Sequence, residues 1–208
     1  MDASDVEALF TREGGDYLCA RWGRPIVPVV FGVEDAVLQV IKGALEAMCV
    51  LAGHDMAETD PELGVNTMWF FFAEWAELLE VPKLDALIPE LGSLVVRLQS
   101  VDANQYRIFR FDDAGGIKAC FVFVRMDAHL RDVPAETLAL SQAVQQMVLW
   151  SDVAFRGQSP LAVTADATVL RPEIGDVIRA VYDPVLPVMA DDASHALRVA
   201  ARIASGRT

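Results

Sequence analysis

Residues 105–124 of the chain read QYRIFRF, DDAGG and IKACFVFV. The first and last of these stretches are rich in β-branched and aromatic residues, which favour β-strands. The middle stretch contains two adjacent glycines and is short enough to connect neighbouring antiparallel strands. The segment therefore predicts a β-hairpin with strands at 105–111 and 117–124.

Two earlier apolar stretches extend this hairpin into a sheet. Residues 66–73 (NTMWFFFA) form a continuous apolar and aromatic run of strand length. Such a run is typical of a strand buried on both faces, so it predicts a central strand. Residues 25–31 (PIVPVVF) predict a further strand, and their two prolines favour an edge position or an irregular start.

Helical periodicity surrounds these strands. Apolar residues recur at helical spacing over 34–52, and Gly53 follows where a glycine C-cap belongs. Pro134 is placed to open a second long helix, because proline is tolerated in a first helical turn. The predicted helices besides 34–52 are 134–150, 172–182 and 193–204, with short helices at 74–80 and 84–91 that end near prolines.

Together these elements predict an α+β fold in which helices pack on a mixed, twisted sheet. Residues 1–24 are polar and mixed in pattern, and we interpret them as a lead-in to a single domain spanning 25–208. Residues 151–171 lose periodicity and predict one long loop. A loop of that length inside a domain is usually functional or packed on itself.

Composition excludes several classes of function. The 17 Lys and Arg residues against 30 Asp and Glu residues give a net charge of −13, so the basic surface that nucleic-acid binding requires is not expected. No apolar run is long enough to span a bilayer, which predicts no membrane insertion. A hydrophobic content of 53% excludes a disordered chain and leaves self-association as one use for surplus apolar surface.

The local signatures of common cofactors and targeting segments are missing. The three cysteines are distant from one another, so neither a disulfide framework nor a CxxC metal site is expected. No glycine-rich nucleotide-binding motif or nucleophile elbow occurs. The histidines, His54, His129 and His195, do not have the spacing of a local metal site. We therefore expect no cofactor, and the absence of a secretory signal predicts a cytoplasmic protein for the chain as written.

One segment does resemble a known catalytic motif. Residues 141–152 read SQAVQQMVLWSD, and their order after a hairpin resembles the HExxHxxGLxHD helix of metzincin peptidases. In that alignment Ser141, Gln145 and Ser151 take the three zinc-ligand positions, and Gln142 takes the position of the catalytic glutamate. Neutral Ser and Gln oxygens are poor zinc ligands, and an amide cannot accept a proton as a carboxylate does. The resemblance therefore implies that the catalytic chemistry has been lost.

The chain more closely resembles a proteobacterial family of uncharacterised metzincin-like proteins, some of them lipoproteins. Members carry an E-E-x-T-Q-x-L-G-L-x-N-D stretch and then a helix ending in L-Y-D-P-x-L-x-x-x-M. Here the first stretch stands at 144–152 as VQQMVLWSD, with Ser141 and Gln142 in place of the family's acidic pair. The second stands at 180–189 as AVYDPVLPVM, with the YDP triplet matching. The likeness spans roughly residues 21–190. Family members are often exported, and this chain departs from them in lacking an export signal and the glycine, which is replaced by Val148.

The resemblance implies a zincin-like domain without metal or catalysis that binds a peptide or protein in the remnant cleft. The residues expected at that cleft are Ser141, Gln142, Gln145, Ser151, Asp152 and Tyr182. One alternative is an active hydrolase with ligands distant in sequence, such as His54 or His129. Another is a self-associating structural protein. In a third interpretation, 140–150 is only a core helix, and the YDP triplet only ends a helix.

Overall fold

The computed structural model describes residues 1–164 and 167–206 of the chain. Its helices are α1 (Ala3–Phe10), α2 (Asp35–Ala52), a 3-10 helix (Trp75–Glu80), α3 (Leu84–Leu87), α4 (Leu91–Ser100), α5 (Ala128–Arg131), α6 (Ala135–Met147), α7 (Pro172–Val181) and α8 (Ser194–Ser205). Its strands are β1 (Cys19–Ala20), β2 (Pro28–Phe31), β3 (Thr67–Phe72), β4 (Gln105–Phe111), β5 (Ile117–Arg125), β6 (Leu161–Val163), β7 (Thr168–Leu170) and β8 (Met189–Ala190). The protein is thus a mixed α+β fold, as predicted.

The main sheet has four strands in the order β2-β3-β5-β4. β3 pairs in parallel with β2 on one side and with β5 on the other, which confirms the predicted central strand. β4 pairs antiparallel with β5, which confirms the predicted hairpin. The sheet is therefore mixed, and β2 and β4 are its two edge strands.

Helices cover both faces of this sheet because successive side chains of a strand point to opposite faces. Trp69 and Val122 belong to the main buried cluster, to which α2 and α6 contribute. Their neighbours Phe70 and Phe123 belong to a second buried cluster, formed with the 3-10 helix, α3 and α4. The continuous apolar run of β3 follows from this arrangement, since each of its faces meets a helical layer.

Helix α2 ends in the glycine cap that the sequence predicts, and another glycine forms the turn before it. Gly53 lies in the left-handed region with φ 61° and donates its N–H to the carbonyls of Cys49 and Val50. Gly32 leaves β2 with φ +82°, and a Cβ built there would lie 2.0 Å from the carbonyl oxygen of Phe71. Only glycine therefore fits between the ends of β2 and β3.

The first 24 residues, interpreted as a lead-in, are part of the core. Asp2 caps α1 by accepting a hydrogen bond from the Asp5 backbone N–H at 2.9 Å, and Phe10 of α1 is fully buried. Trp22 is also fully buried in the main cluster. Strand β1 pairs with β8, at the other end of the chain. A long-range pairing of two residues leaves no periodic signal in the sequence, which is why this segment looked peripheral.

Three further boundaries differ from the prediction. The expected loop at 151–171 contains the antiparallel pair β6 and β7, while its residues 165 and 166 lie outside the described residues, as do 207 and 208 of the expected domain. The short helix predicted at 84–91 is α3, which ends at Leu87, and the longer helix α4 (Leu91–Ser100) was not predicted. Helix α6 ends at Met147 instead of 150, because Val148 is extended and forms a bridge with Arg21.

Candidate functional site

Ser141 and Gln145 lie one turn apart on α6, as their spacing predicts. Both residues are half-buried. The side-chain amide of Gln145 donates a hydrogen bond to the Ser141 hydroxyl at 3.0 Å. The side chains of Ser141 and Gln145 are thus hydrogen-bonded to each other along one face of α6.

Gln142 faces the sheet and joins α6 to the edge strand β4. Its side chain is fully buried. Its amide nitrogen donates a hydrogen bond to the side-chain oxygen of Gln105, and its amide oxygen accepts one from the Arg107 guanidinium. Gln105 and Arg107 are two residues apart on β4, so they lie on the same face of the sheet. The position that the metzincin alignment gives to the catalytic glutamate is therefore in contact with an edge strand.

Arg107 places a positive charge behind this strand. The guanidinium Nε atom is enclosed and has no hydrogen-bond partner among the described residues. Burial lowers the pKa of Arg107 to about 10, so the side chain is still protonated at neutral pH. An amide oxygen, not a carboxylate, is its hydrogen-bond partner in α6, so the charge is not neutralised there.

Ser151 and Asp152 lie under the segment that follows α1. The Ser151 hydroxyl donates a hydrogen bond to the carbonyl of Thr11 at 2.6 Å. The Asp152 carboxylate accepts one from the backbone N–H of Glu13 at 3.1 Å, and this hydrogen bond is the main reason that the pKa of Asp152 is lowered. The third expected ligand position is therefore used to hold the N-terminal segment.

Tyr182 lies in the interior, at the C-terminal end of α6. Its hydroxyl donates a hydrogen bond to the carbonyl of Met147 at 2.7 Å. Its ring packs against the His54 ring, with 5.2 Å between centroids, and below the Arg21 guanidinium. Burial raises the pKa of this hydroxyl above its usual range. The six expected cleft residues thus make four separate sets of contacts: along α6, toward β4, with the segment after α1, and at the end of α6.

Gln146 is a buried polar residue that the sequence analysis did not single out. Its side-chain oxygen accepts hydrogen bonds from the Thr67 hydroxyl at 3.0 Å and from the Trp69 indole at 2.9 Å. Its backbone carbonyl accepts a hydrogen bond from the Trp22 indole at 2.8 Å. Gln146 follows Gln142 by four residues, and a polar pair at that spacing in an apolar helix was the available signal.

An open concavity near these residues runs along β4. This concavity, which we call the β4 groove, has a volume of about 650 Å³. Its floor is formed by residues 106–111 of β4, and its walls come from α4 on one side and from the α1–β1 segment with Leu149 on the other. The lining residues outside β4 are Arg12, Leu18, Glu90, Ser93, Leu94, Arg97 and Leu149. The groove therefore follows the outer edge of β4, where no second strand pairs with it among the described residues.

The β4 groove is positively charged although the chain is acidic. Arg12, Arg97, Arg107 and Arg110 line it, and Glu90 is the single carboxylate among its lining residues. Arg110 lies 3.8 Å from Glu90, but the other three arginines form no ion pair with any carboxylate of the described residues. The Arg97 guanidinium instead donates to the Tyr106 hydroxyl at 2.9 Å and covers that ring.

The histidines do not form a common centre in the part of the chain that is described. His54 hydrogen-bonds through Nε2 with the carbonyl of Arg24 at 2.9 Å, and burial lowers its pKa. His195 hydrogen-bonds through Nδ1 with the Tyr17 hydroxyl at 2.8 Å. His129 is exposed on α5. Within residues 1–164 and 167–206, no group of three or more His, Cys, Asp and Glu side chains is placed to hold a metal ion.

Comparisons with known proteins add no family assignment. Family models, curated proteins and solved structures each give no match to this chain. None of the helices in the described ranges combines the length and apolarity needed to cross a bilayer. The functional interpretation therefore depends on the chain's own geometry.

Proposed function

We propose that this protein is a non-catalytic, zincin-like domain that binds an extended peptide in the β4 groove. The observation that carries the proposal is the edge of β4, which pairs only with β5 among the described strands and forms the floor of the groove. An edge strand presents backbone N–H and C=O groups that a further strand can satisfy. Peptide recognition by strand addition uses these groups for affinity and neighbouring pockets for specificity.

The position of α6 supports the zincin-like part of this proposal. The resemblance to metzincin-like proteins aligns Gln142 with the catalytic glutamate. Gln142 contacts Gln105 and Arg107 of the strand that forms the groove floor. Leu149, a residue match to the metzincin motif, lines the same groove. The metzincin-like segment thus adjoins the peptide groove.

The chemistry of the same residues supports a binding role instead of catalysis. A general base must accept a proton, and the neutral amide of Gln142 does not do so at neutral pH. Both of its polar atoms already make hydrogen bonds to β4. Ser141 and Gln145 offer neutral oxygens, which bind zinc weakly beside imidazole or thiolate.

A random dodecapeptide display library tests the proposal. Peptides recovered on the wild-type protein are synthesised, and their affinities are measured by fluorescence anisotropy. Ser93 lines the groove on α4, so a Ser93→Trp variant should fill it and weaken binding at least about tenfold. Ser100→Trp is the matched control, because Ser100 is an exposed residue of the same helix outside the groove.

The outcomes separate peptide binding from its alternatives. Peptides that bind the wild type and the Ser100→Trp variant, but not the folded Ser93→Trp variant, support the proposal. Recovery of no peptide, or equal binding by the two tryptophan variants, contradicts it. A dimer in analytical ultracentrifugation that Ser93→Trp dissociates would instead assign the β4 edge to self-association.

A further inference from the structure

We propose that the β4 groove selects acidic peptides. This inference rests on the proposed function, because it specifies the class of peptide that lies along β4. Four arginines line the groove, and a bound segment with Asp or Glu side chains would supply carboxylates to Arg12 and Arg97, which have no acidic partner among the described residues. Arginine is well suited to this role, because its planar guanidinium donates paired hydrogen bonds to a carboxylate.

The arginines are distributed so that both faces of an added strand meet a positive charge. Arg107 and Arg110 are three residues apart on β4, so their side chains point to opposite faces of the sheet. Arg12 belongs to the wall beside the main core, and Arg97 belongs to the wall formed by α4. A peptide that continues the sheet alternates its own side chains in the same way. Acidic residues on either face of the peptide therefore have an arginine to contact.

The charge of the whole chain makes this local excess of arginine informative. The net charge is −13, so a surface region with four arginines and one carboxylate differs sharply from the average surface. Arg107 adds positive charge beneath the groove floor, because its hydrogen-bond partner Gln142 is neutral. An acidic peptide is repelled by most of the surface and attracted at the groove, which favours one binding position.

A single-stranded nucleic acid is the other polyanion to consider, since Tyr106, Phe109 and Phe111 add aromatic rings. The sheet edge favours a peptide, because the outward N–H and C=O groups of β4 match the backbone of another strand. A phosphodiester backbone has oxygen atoms that accept hydrogen bonds, but it has no N–H groups to donate to the outward carbonyls of β4. The net charge of −13 also opposes a long polyanion, which would extend beyond the groove.

The test uses the peptides recovered from the dodecapeptide library. We expect enrichment of Asp and Glu relative to the unselected library. For each synthetic peptide, a neutral twin is made in which every Asp is replaced by Asn and every Glu by Gln. We expect the affinity of the neutral twin to be lower by about twofold to fivefold for each contacting carboxylate removed. Raising the salt concentration from 0.05 to 0.5 M should reduce this difference, because exposed charges are screened. An oligothymidylate of matched length serves as the competing polyanion.

Two double variants separate the groove from overall charge. Arg12→Gln with Arg97→Gln removes two groove charges and should abolish most of the preference for the acidic twin. Arg131→Gln with Arg198→Gln removes two exposed charges elsewhere and should preserve it. Each pair changes the net charge equally, and thermal melting verifies that both variants fold.

The possible failures are distinguishable. Recovery of no peptide overturns the proposed function and this inference together. Peptides that bind as tightly as their neutral twins overturn the acidic preference while leaving strand addition intact. The inference is overturned in favour of a nucleic-acid strand if oligothymidylate displaces the bound peptides at a lower concentration than the acidic peptide does, and if this displacement requires Arg12 and Arg97.

Discussion

Arg107 of β4 donates a hydrogen bond to the side-chain oxygen of Gln142 on α6. This contact joins the edge strand to α6, the helix that we propose to be metzincin-like. Gln142 is fully buried, so water cannot replace it as the partner of the guanidinium. The hydrogen bond attaches the floor of the β4 groove to the protein core. Because Gln142 is neutral, it leaves the positive charge of Arg107 unneutralised beneath the groove.

Removing this contact should destabilise the protein. In Gln142→Ala the Arg107 guanidinium and the Gln105 side chain lose a buried partner, and we expect the free energy of unfolding to fall by about 2–3 kcal/mol. Urea denaturation followed by tryptophan fluorescence measures the change. Gln145→Ala is the control on the same helix, where loss of one half-buried hydrogen bond should cost under about 1 kcal/mol. Equal costs for the two variants would contradict the assigned contact.

Gln146 should be more important for stability than its neighbours in sequence. A Gln146→Leu variant leaves the buried Trp69 indole without its acceptor, whereas the Thr67 hydroxyl keeps the carbonyl of Cys120 at 3.3 Å. An unsatisfied buried donor costs about 1–3 kcal/mol, so the free energy of unfolding should fall by about 1–3 kcal/mol. A change in near-ultraviolet circular dichroism should accompany it, because Trp69 loses its fixed partner. A loss below about 1 kcal/mol would show that the network contributes little.

The backbone at Gly32 gives a third prediction. A Gly32→Ala variant combines a positive φ with a Cβ placed 2.0 Å from the Phe71 carbonyl oxygen, so we expect a loss of at least about 2 kcal/mol of stability. Gly43→Ala is the matched control in the exposed middle of α2, where a Cβ meets no atom within 4 Å. Since alanine has a higher helix propensity than glycine, the free energy of unfolding of Gly43→Ala should rise by up to about 1 kcal/mol. Thermal or urea unfolding of both variants measures the contrast, and changes of the same sign would contradict it.

The sequence predicted the parts of the fold whose signals are local. The 34–52 helix with its Gly53 cap, the central strand at 66–73 and the hairpin at 105–124 depend on periodicity, turn residues and continuous apolar runs. The pairing of β1 with β8 joins residues from opposite ends of the chain, Cys19 with Ala190 among them, so no local pattern could reveal it. The burial of α1 was missed for the same reason, since its contacts with α8 are entirely long-range.

The candidate site was predictable only in part. The spacing correctly placed Ser141 beside Gln145, since i and i+4 residues of a helix share a face. The contact of Gln142 with Arg107 depends on which face of α6 meets β4, and packing of the whole sheet decides that. The charge of the groove was hidden in the sequence, because Arg12 is distant in sequence from Arg97 and Arg107, and the chain as a whole is acidic.

Stability should depend on pH through His54 and His195. Burial lowers the pKa of both side chains in the folded state below the ordinary value of 6.5. The unfolded chain therefore binds more protons as the pH falls below that value, so the free energy of unfolding should decrease from about pH 7 to about pH 5. Above pH 7 both states are neutral at these groups, and the stabilisation is fully present.

Urea denaturation at several pH values measures this dependence. A His195→Gln variant retains a side chain able to hydrogen-bond with Tyr17 and should show a smaller decrease between pH 7 and pH 5. His129→Gln is the control, because His129 is exposed on α5. The expectation is contradicted if the free energy of unfolding of His195→Gln decreases between pH 7 and pH 5 as much as that of the wild type, while the decrease is smaller in His129→Gln.

The most direct test of strand addition is amide hydrogen exchange along β4. Exchange is measured for the protein alone and for the protein saturated with a library-selected peptide. The account predicts slower exchange for amides within Gln105–Phe111, because the added strand forms hydrogen bonds with the outer edge. Exchange in the opposite edge strand, Pro28–Phe31, should remain unchanged. Peptide binding that leaves exchange in β4 unaltered, or that protects β2 instead, would contradict the account.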